Sequence, residues 1–162
     1  MSQFDFFDDS PTSPSDSKIE GPIKVLVIDD DESVHDVTRL VLRRKTVNGR
    51  KIELHSCLSA REAKELLSTK HDFCLAIIDV IMETEDAGLR LIDWIREQPT
   101  LNTMTLVVRT GQPGVNVEEP KVDHLDLLEY CYKTSVNAST LKGWVDEAAK
   151  RFEQVHNTPS ST

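Results

Sequence analysis

Apolar and polar positions along this chain fall into two alternating patterns. From Ile23 the run IKVLVID is continuously apolar, as expected for a strand buried on both faces. The next segment, Asp31 to Arg44, places Val34, Val37, Leu40 and Val41 at helical spacing and predicts a helix with those four as its apolar stripe. VNGR then breaks the pattern as a turn, and KIELHSCL reads as a second strand. Ser59 is an N-cap candidate for a helix through Lys70, with Glu62 completing a capping box and Ala63, Leu66 and Leu67 facing inward. FCLAIIDV is the third and most apolar strand. After the polar loop METEDAG, the spacing of Leu89, Ile92 and Ile95 predicts a helix that stops before Pro99. TLVVRT is the fourth strand and LEYCY the fifth. The glycines and prolines of GQPGVNVEEPKVDH, between them, disfavour a full helix before Pro120 but allow a short one through Leu127. A last helix starts near Asn137 or Ser139, with Leu141, Val145, Ala148 and Phe152 on one face.

Five strand–helix repeats predict a parallel sheet covered by helices on both faces, with right-handed crossovers. The expected fold is therefore an α/β (βα)5 flavodoxin-like sheet of strand order 2-1-3-4-5. Residues 23–155 are expected to form this single domain. Residues 1–22, rich in Ser, Pro and Asp and without periodicity, read as a disordered acidic tail, and 156–162 as a polar C-terminal tail. Phe4, Phe6 and Phe7 among the acids of the first tail form a docking-motif candidate, weighed against a tail that docks nothing.

Composition narrows the function classes. The 162 residues carry a net charge of −9, which argues against a surface dominated by nucleic-acid contacts. Arg43, Arg44, Lys45, Arg50 and Lys51 cluster near the first helix's end, where cations suit the helix dipole. Contact with an acidic partner is the alternative. Cys57, Cys74 and Cys131 show neither zinc nor redox spacing and read as reduced thiols, which fits a cytoplasmic protein. No apolar run approaches the length of a membrane span, and the N-terminus has no signal-peptide pattern.

The chemistry lies at the strand ends, which a parallel sheet gathers on its carboxyl edge. Strand one ends in Asp29, Asp30 and Asp31, strand three in Asp79, strand four in Thr110 and strand five in Lys133. Taken singly, the acids are helix caps or turn residues, and a Thr or Lys at a strand end is uninformative. Jointly they describe a pocket. Converging carboxylates repel one another unless a cation sits among them. An all-oxygen site suits Mg²⁺, and the absence of His and Cys there disfavours zinc. Three carboxylates, one Mg²⁺ and one ammonium balance in formal charge, so the pocket could accept a phosphoryl group on a carboxylate nucleophile.

These residues carry a resemblance. Over roughly Ile23 to Gln154 the chain resembles the response-regulator receiver domains of two-component signalling. The resemblance implies that Asp79 is the phosphoacceptor and that Asp29 and Asp30 are the acid pair. Mg²⁺ would be held by Asp30, Asp79 and the main-chain carbonyl of Ile81, with Asp29 beside them. Thr110 would sense the phosphoryl group, Lys133 would stabilise its charge, and Tyr130 would be the aromatic that switches rotamer. The implied donor is a sensor histidine kinase or phosphotransfer protein. The implied output is a change in the face formed by helix four, strand five and helix five.

The chain departs from the family pattern at Thr134, where a cis proline is usual; at Glu83, in place of proline; and at Gly111, in place of alanine. The loop before Gly88 is one residue longer than is common. RTGQPG and METEDAGLRLI are similar to receivers at the front of regulators ending in HD-GYP modules. That likeness implies a cyclic-di-GMP phosphodiesterase or other output downstream, although no HD or GYP motif occurs here and no output enzyme is expected within the chain. Homodimerisation is left open; membrane and nucleic-acid partners are not expected. Two other classes stand beside this reading. An aspartate-nucleophile phosphohydrolase needs an acid two residues after its nucleophile, where this chain has Ile81. A pseudo-receiver would bind partners without phosphorylation.

Overall fold

The computed structural model describes residues 21–111 and 123–157. The two expected tails lie almost wholly outside the described residues, as does most of the irregular stretch after Gly111. The elements are β1 (Ile23–Ile28), α1 (Glu32–Leu42), β2 (Thr46–Val47), β3 (Arg50–Cys57), α2 (Ala60–Leu67), β4 (Leu75–Ile78), α3 (Ala87–Glu97), β5 (Thr105–Thr110), β6 (Glu129–Tyr132) and α4 (Ala138–Asn157). Short 3-10 turns at Asp123–Leu125 and Lys133–Ser135 flank β6.

Five strands pair in parallel in the order β3-β1-β4-β5-β6, the flavodoxin-like arrangement expected from the pattern. The structure adds β2, which joins β3 antiparallel across Asn48 and Gly49. Both turn residues have positive φ (52° and 80°), the conformation that an Asn-Gly hairpin turn needs. In the sequence this segment reads as a bare turn, because two residues are too few to show a strand period.

One core cluster lies on each face of the sheet. Leu26, Ile28, Ala76, Ile78, Leu106 and Val108 point to the α2/α3 face, and Val25, Val27, Ile77 and Val107 to the α1/α4 face. Adjacent strand residues pointing to opposite faces, both buried, explain why β1, β4 and β5 read as unbroken apolar runs.

Helix α1 corrects the expected stripe. Val37 and Leu40 are 59% and 63% exposed, and the buried positions are His35, Thr38 and Leu42. Two polar residues can face inward because each has a local partner. Thr38 Oγ1 donates to Val34 O at 2.7 Å, and His35 Nε2 bonds Asp29 O at 2.7 Å. Helix α2 ends at Leu67, short of Lys70, and its cap is as expected. Ser59 Oγ accepts from Glu62 N at 3.0 Å, while Glu62 reaches back to Leu58 N. Among the described residues no helix is long and apolar enough to cross a membrane.

Candidate functional site

The sheet ladder continues one residue past two strands and so sets the acids in place. Asp29 N donates to Cys57 O at 3.1 Å, and Asp79 N donates to Ile28 O at 2.9 Å. Asp29 and Asp79 therefore leave adjacent strands at the same height, 1% and 4% exposed, while Asp30 is exposed. One carboxylate oxygen from each of Asp29, Asp30 and Asp79 lies within 4.8 Å of the others. Thr110 Oγ1 donates to Asp79 Oδ1 at 2.9 Å. Lys133 Nζ sits 2.9 Å from Asp29 Oδ2 and 3.2 Å from Asp79 Oδ2. Four strand ends thus meet on one aspartate pair, and Asp79 has a different donor on each of its oxygens.

Three further expected residues stand around this centre. Asp31 turns away to cap α1, accepting from Ser33 N at 2.9 Å and Ser33 Oγ at 2.6 Å. Ile81 lies in the loop after β4 with a 53% exposed side chain. Tyr130 is half-buried on β6, packs against the α2/α3-side core, and meets Tyr132 edge-on at a ring-centroid distance of 6.4 Å. The peptide bond before Thr134 is trans, as the missing proline allows.

Burial raises the Asp29 carboxyl above its ordinary pKa. The Asp31 N–H and Lys133 oppose that rise, and Asp79 adds to it. Burial also works against the Lys133 ammonium, yet its hydrogen bond to Asp29 and the charge of Asp79 hold its pKa above the usual value. The Ser33 hydroxyl and N–H lower that of Asp31. The three thiols lie outside this chemistry: burial pushes Cys57 and Cys131 up to about 11 and Cys74 to about 12.

The donor set fits a hard divalent cation. It is all oxygen, anionic and open to solvent on the Asp30 side, which suits Mg²⁺ with its retained waters. Neither imidazole nor thiolate is part of the cluster.

Four residues to which the sequence pattern assigns no role shape the pocket. Gly88 N donates to Val80 O at 2.8 Å, and a Cβ at Gly88 would stand 1.9 Å from Asp79 O. Only glycine lets the start of α3 approach the Asp79 backbone this closely. Glu83, in the position where a proline is usual, accepts from Ala60 N and Arg61 N at 2.9 Å each and ties the loop after Asp79 to the N-terminus of α2. Its carboxyl lies below its usual pKa: burial works against the charge, while those two N–H groups, its own N–H and the Arg61 charge together outweigh it. His35 holds the Asp29 carbonyl. Arg109, on β5 next to Thr110, is 6% exposed; burial lowers its pKa while Asp29 and Asp79 oppose that drop. An arginine inside LVVRT, an otherwise apolar strand run, is the visible signal for it.

A parallel five-stranded sheet with an acid pair, an aspartate, a threonine and a lysine at its carboxyl edge defines a class. The chain has the fold of the response-regulator receiver domains. No protein-family model matches it. The chain is similar to the 3'3'-cGAMP-specific phosphodiesterase 2 of Vibrio cholerae, at 40% identity over 121 residues, or 75% of this chain and 23% of that protein. It therefore spans about a quarter of the length of the curated relative it matches. The crystal structure of a response regulator receiver protein from Pseudomonas putida superposes with a TM-score of 0.64 at 26% identity, covering 80% of this chain and 99% of that one. The signal receiver domain of an HD domain-containing protein from Pseudomonas fluorescens Pf-5 superposes with a TM-score of 0.70 at 17% identity, covering 86% and 96%.

Proposed function

We propose that Asp79 accepts a phosphoryl group from a phosphohistidine of a sensor kinase or phosphotransfer protein, and that the modified domain switches a partner or output. The reading is carried by the convergence on Asp79: Thr110 on one oxygen, Lys133 on the other, and the Asp29 and Asp30 carboxylates within 4.8 Å. Asp79 would attack phosphorus as its carboxylate; the new O–P bond forms as the P–N bond breaks, and the imidazole leaves. Lys133, fixed by Asp29, is placed to offset charge on the transferring oxygens. Mg²⁺, held by Asp29, Asp30, Asp79 and the Ile81 carbonyl, would supply the remaining positive charge. Thr110 already bonds Asp79, so its hydroxyl is positioned to follow the phosphoryl oxygens, and Tyr130 on the neighbouring strand would repack behind it.

The domain on this reading spans 23–155, lacks an output enzyme of its own and works in the cytoplasm. The phosphodiesterase named among its relatives makes a cyclic-dinucleotide phosphodiesterase the favoured output, in cis or in trans. Labelling with acetyl phosphate and Mg²⁺ tests the assignment. Asp79→Asn should lose the label and Lys133→Ala should reduce it by at least tenfold. Equal labelling of Asp79→Asn and the natural chain defeats it.

A further inference from the structure

Arg109 is buried beyond nine-tenths, yet its Nε and Nη2 have no hydrogen-bond partner among the described residues. Leaving such donors unmet is costly, so a buried guanidinium calls for an acceptor. Arg109 lines a groove of ≈ 220 Å³ between α1 and α4, whose lining also includes Lys133. The rest of the lining is mainly apolar, with Val34, Val37 and Val41 from α1 opposite Val136 and Leu141. Val37, in that lining, and Leu40, three residues further along α1, are the two large apolar side chains that α1 leaves exposed. The groove therefore suits a ligand that pairs carboxylates with bulky apolar groups.

This chain contains such a segment. FDFFDD, residues 4–9, consists of three phenylalanines and three aspartates, and residues 1–20 hold five acidic residues against one basic. Its point of attachment is also suitable. Arg50 fixes the Gly21 carbonyl at 2.8 Å and the Pro22 carbonyl at 3.3 Å, and contacts Glu153 near the far end of α4 at 3.4 Å. From there to Leu141 the climb along α4 is about 18 Å, and the residues between Asp9 and Gly21 can span up to about 40 Å. We propose that residues 4–9 dock in cis in the α1/α4 groove, with an aspartate on Arg109 and the phenylalanines over Val37 and Leu40.

NMR on the full ¹⁵N-labelled chain tests this. The amides of Phe4 to Asp9 should have order parameters near about 0.8 rather than below about 0.6. Asp5, Asp8 and Asp9→Asn together, and separately Phe4, Phe6 and Phe7→Ser, should release the segment and shift the Val37, Val136 and Leu141 amides and the Arg109 Nε–H signal. Arg109→Lys should retain more docking than Arg109→Leu, and the tail variants leave the core intact should the Leu variant fail to fold. Inorganic phosphate should shift groove signals more in the tail variants than in the natural chain, because the segment competes for the site. A mobile segment whose substitutions leave the groove unmoved overturns the proposal. So does phosphate binding equally to both chains, or segment ordering that rises with protein concentration, which would mean docking between copies.

Discussion

Asp29 holds its proton more readily in the folded chain than an exposed aspartate does, and the direction has a consequence. A carboxyl whose folded pKa is raised contributes stability below its unfolded value and loses it as pH climbs through the folded value. In EDTA, the difference in thermal midpoint between Asp29→Asn and the natural chain should therefore grow in the variant's favour as pH rises from about 4 to about 7; calorimetry across that range checks it. Gly88 makes a sharper case. Alanine there meets a main-chain oxygen rather than a flexible side chain, so the backbone must give. Gly88→Ala should cost about 1–3 kcal/mol in chemical denaturation and weaken Mg²⁺ binding, because the atom displaced belongs to Asp79. At this scale the sequence is legible where a polar residue ends an apolar run, as at Asp79, Thr110 and Lys133. It is not legible at Gly88 or His35, whose partners lie on other turns of the chain and leave no local pattern.

At the scale of elements, Arg96 anchors α3. Its guanidinium donates to the carbonyls of Leu125 (3.1 Å), Asp126 (2.7 Å), Asn102 (3.1 Å) and Met104 (3.0 Å), so a single side chain ties α3 to the approaches of both β5 and β6. Removing it leaves part-buried acceptors without donors. Arg96→Leu should lose about 2–4 kcal/mol in urea unfolding, a larger effect than that of any exposed helix arginine. Glu83 acts similarly for α2. Glu83→Ala should cost about 1 kcal/mol and Glu83→Gln less, since an amide oxygen can still accept one of the two N–H groups. Cap signals are legible in the sequence at Ser59 and Glu62 because a capping box is local. Glu83 caps a helix more than twenty residues before it in the chain, and no spacing rule reaches that far. The α1 stripe misleads for a related reason. Valine and leucine at helical spacing predict an inward face only if the polar residues between them lack partners inside, and His35 and Thr38 have theirs.

For the molecule as a whole, a divalent cation held by the acid cluster, as proposed above, would act as a folding ligand. Binding to the native state alone adds about 2.7 kcal/mol at a hundredfold excess over Kd. Mg²⁺ should therefore raise the thermal midpoint of the natural chain, and Asp30→Asn, at the exposed corner of the cluster, should blunt the rise without lowering the metal-free midpoint. Fold class is legible because the alternation of runs repeats along the chain and allows few topologies. Arg109 adds a second, buried positive charge that Asp29 and Asp79 act on, and only the assembled sheet reveals which face that arginine occupies. Arg50 fixes another relation through its clasp on the Gly21 and Pro22 carbonyls and on Glu153. It draws the start of β1 and the last turns of α4 to one pole of the molecule, opposite the carboxyl edge. The described chain enters and leaves the domain at that pole, so a pair of fluorophores placed near residues 21 and 157 would sit close together and far from the acid cluster.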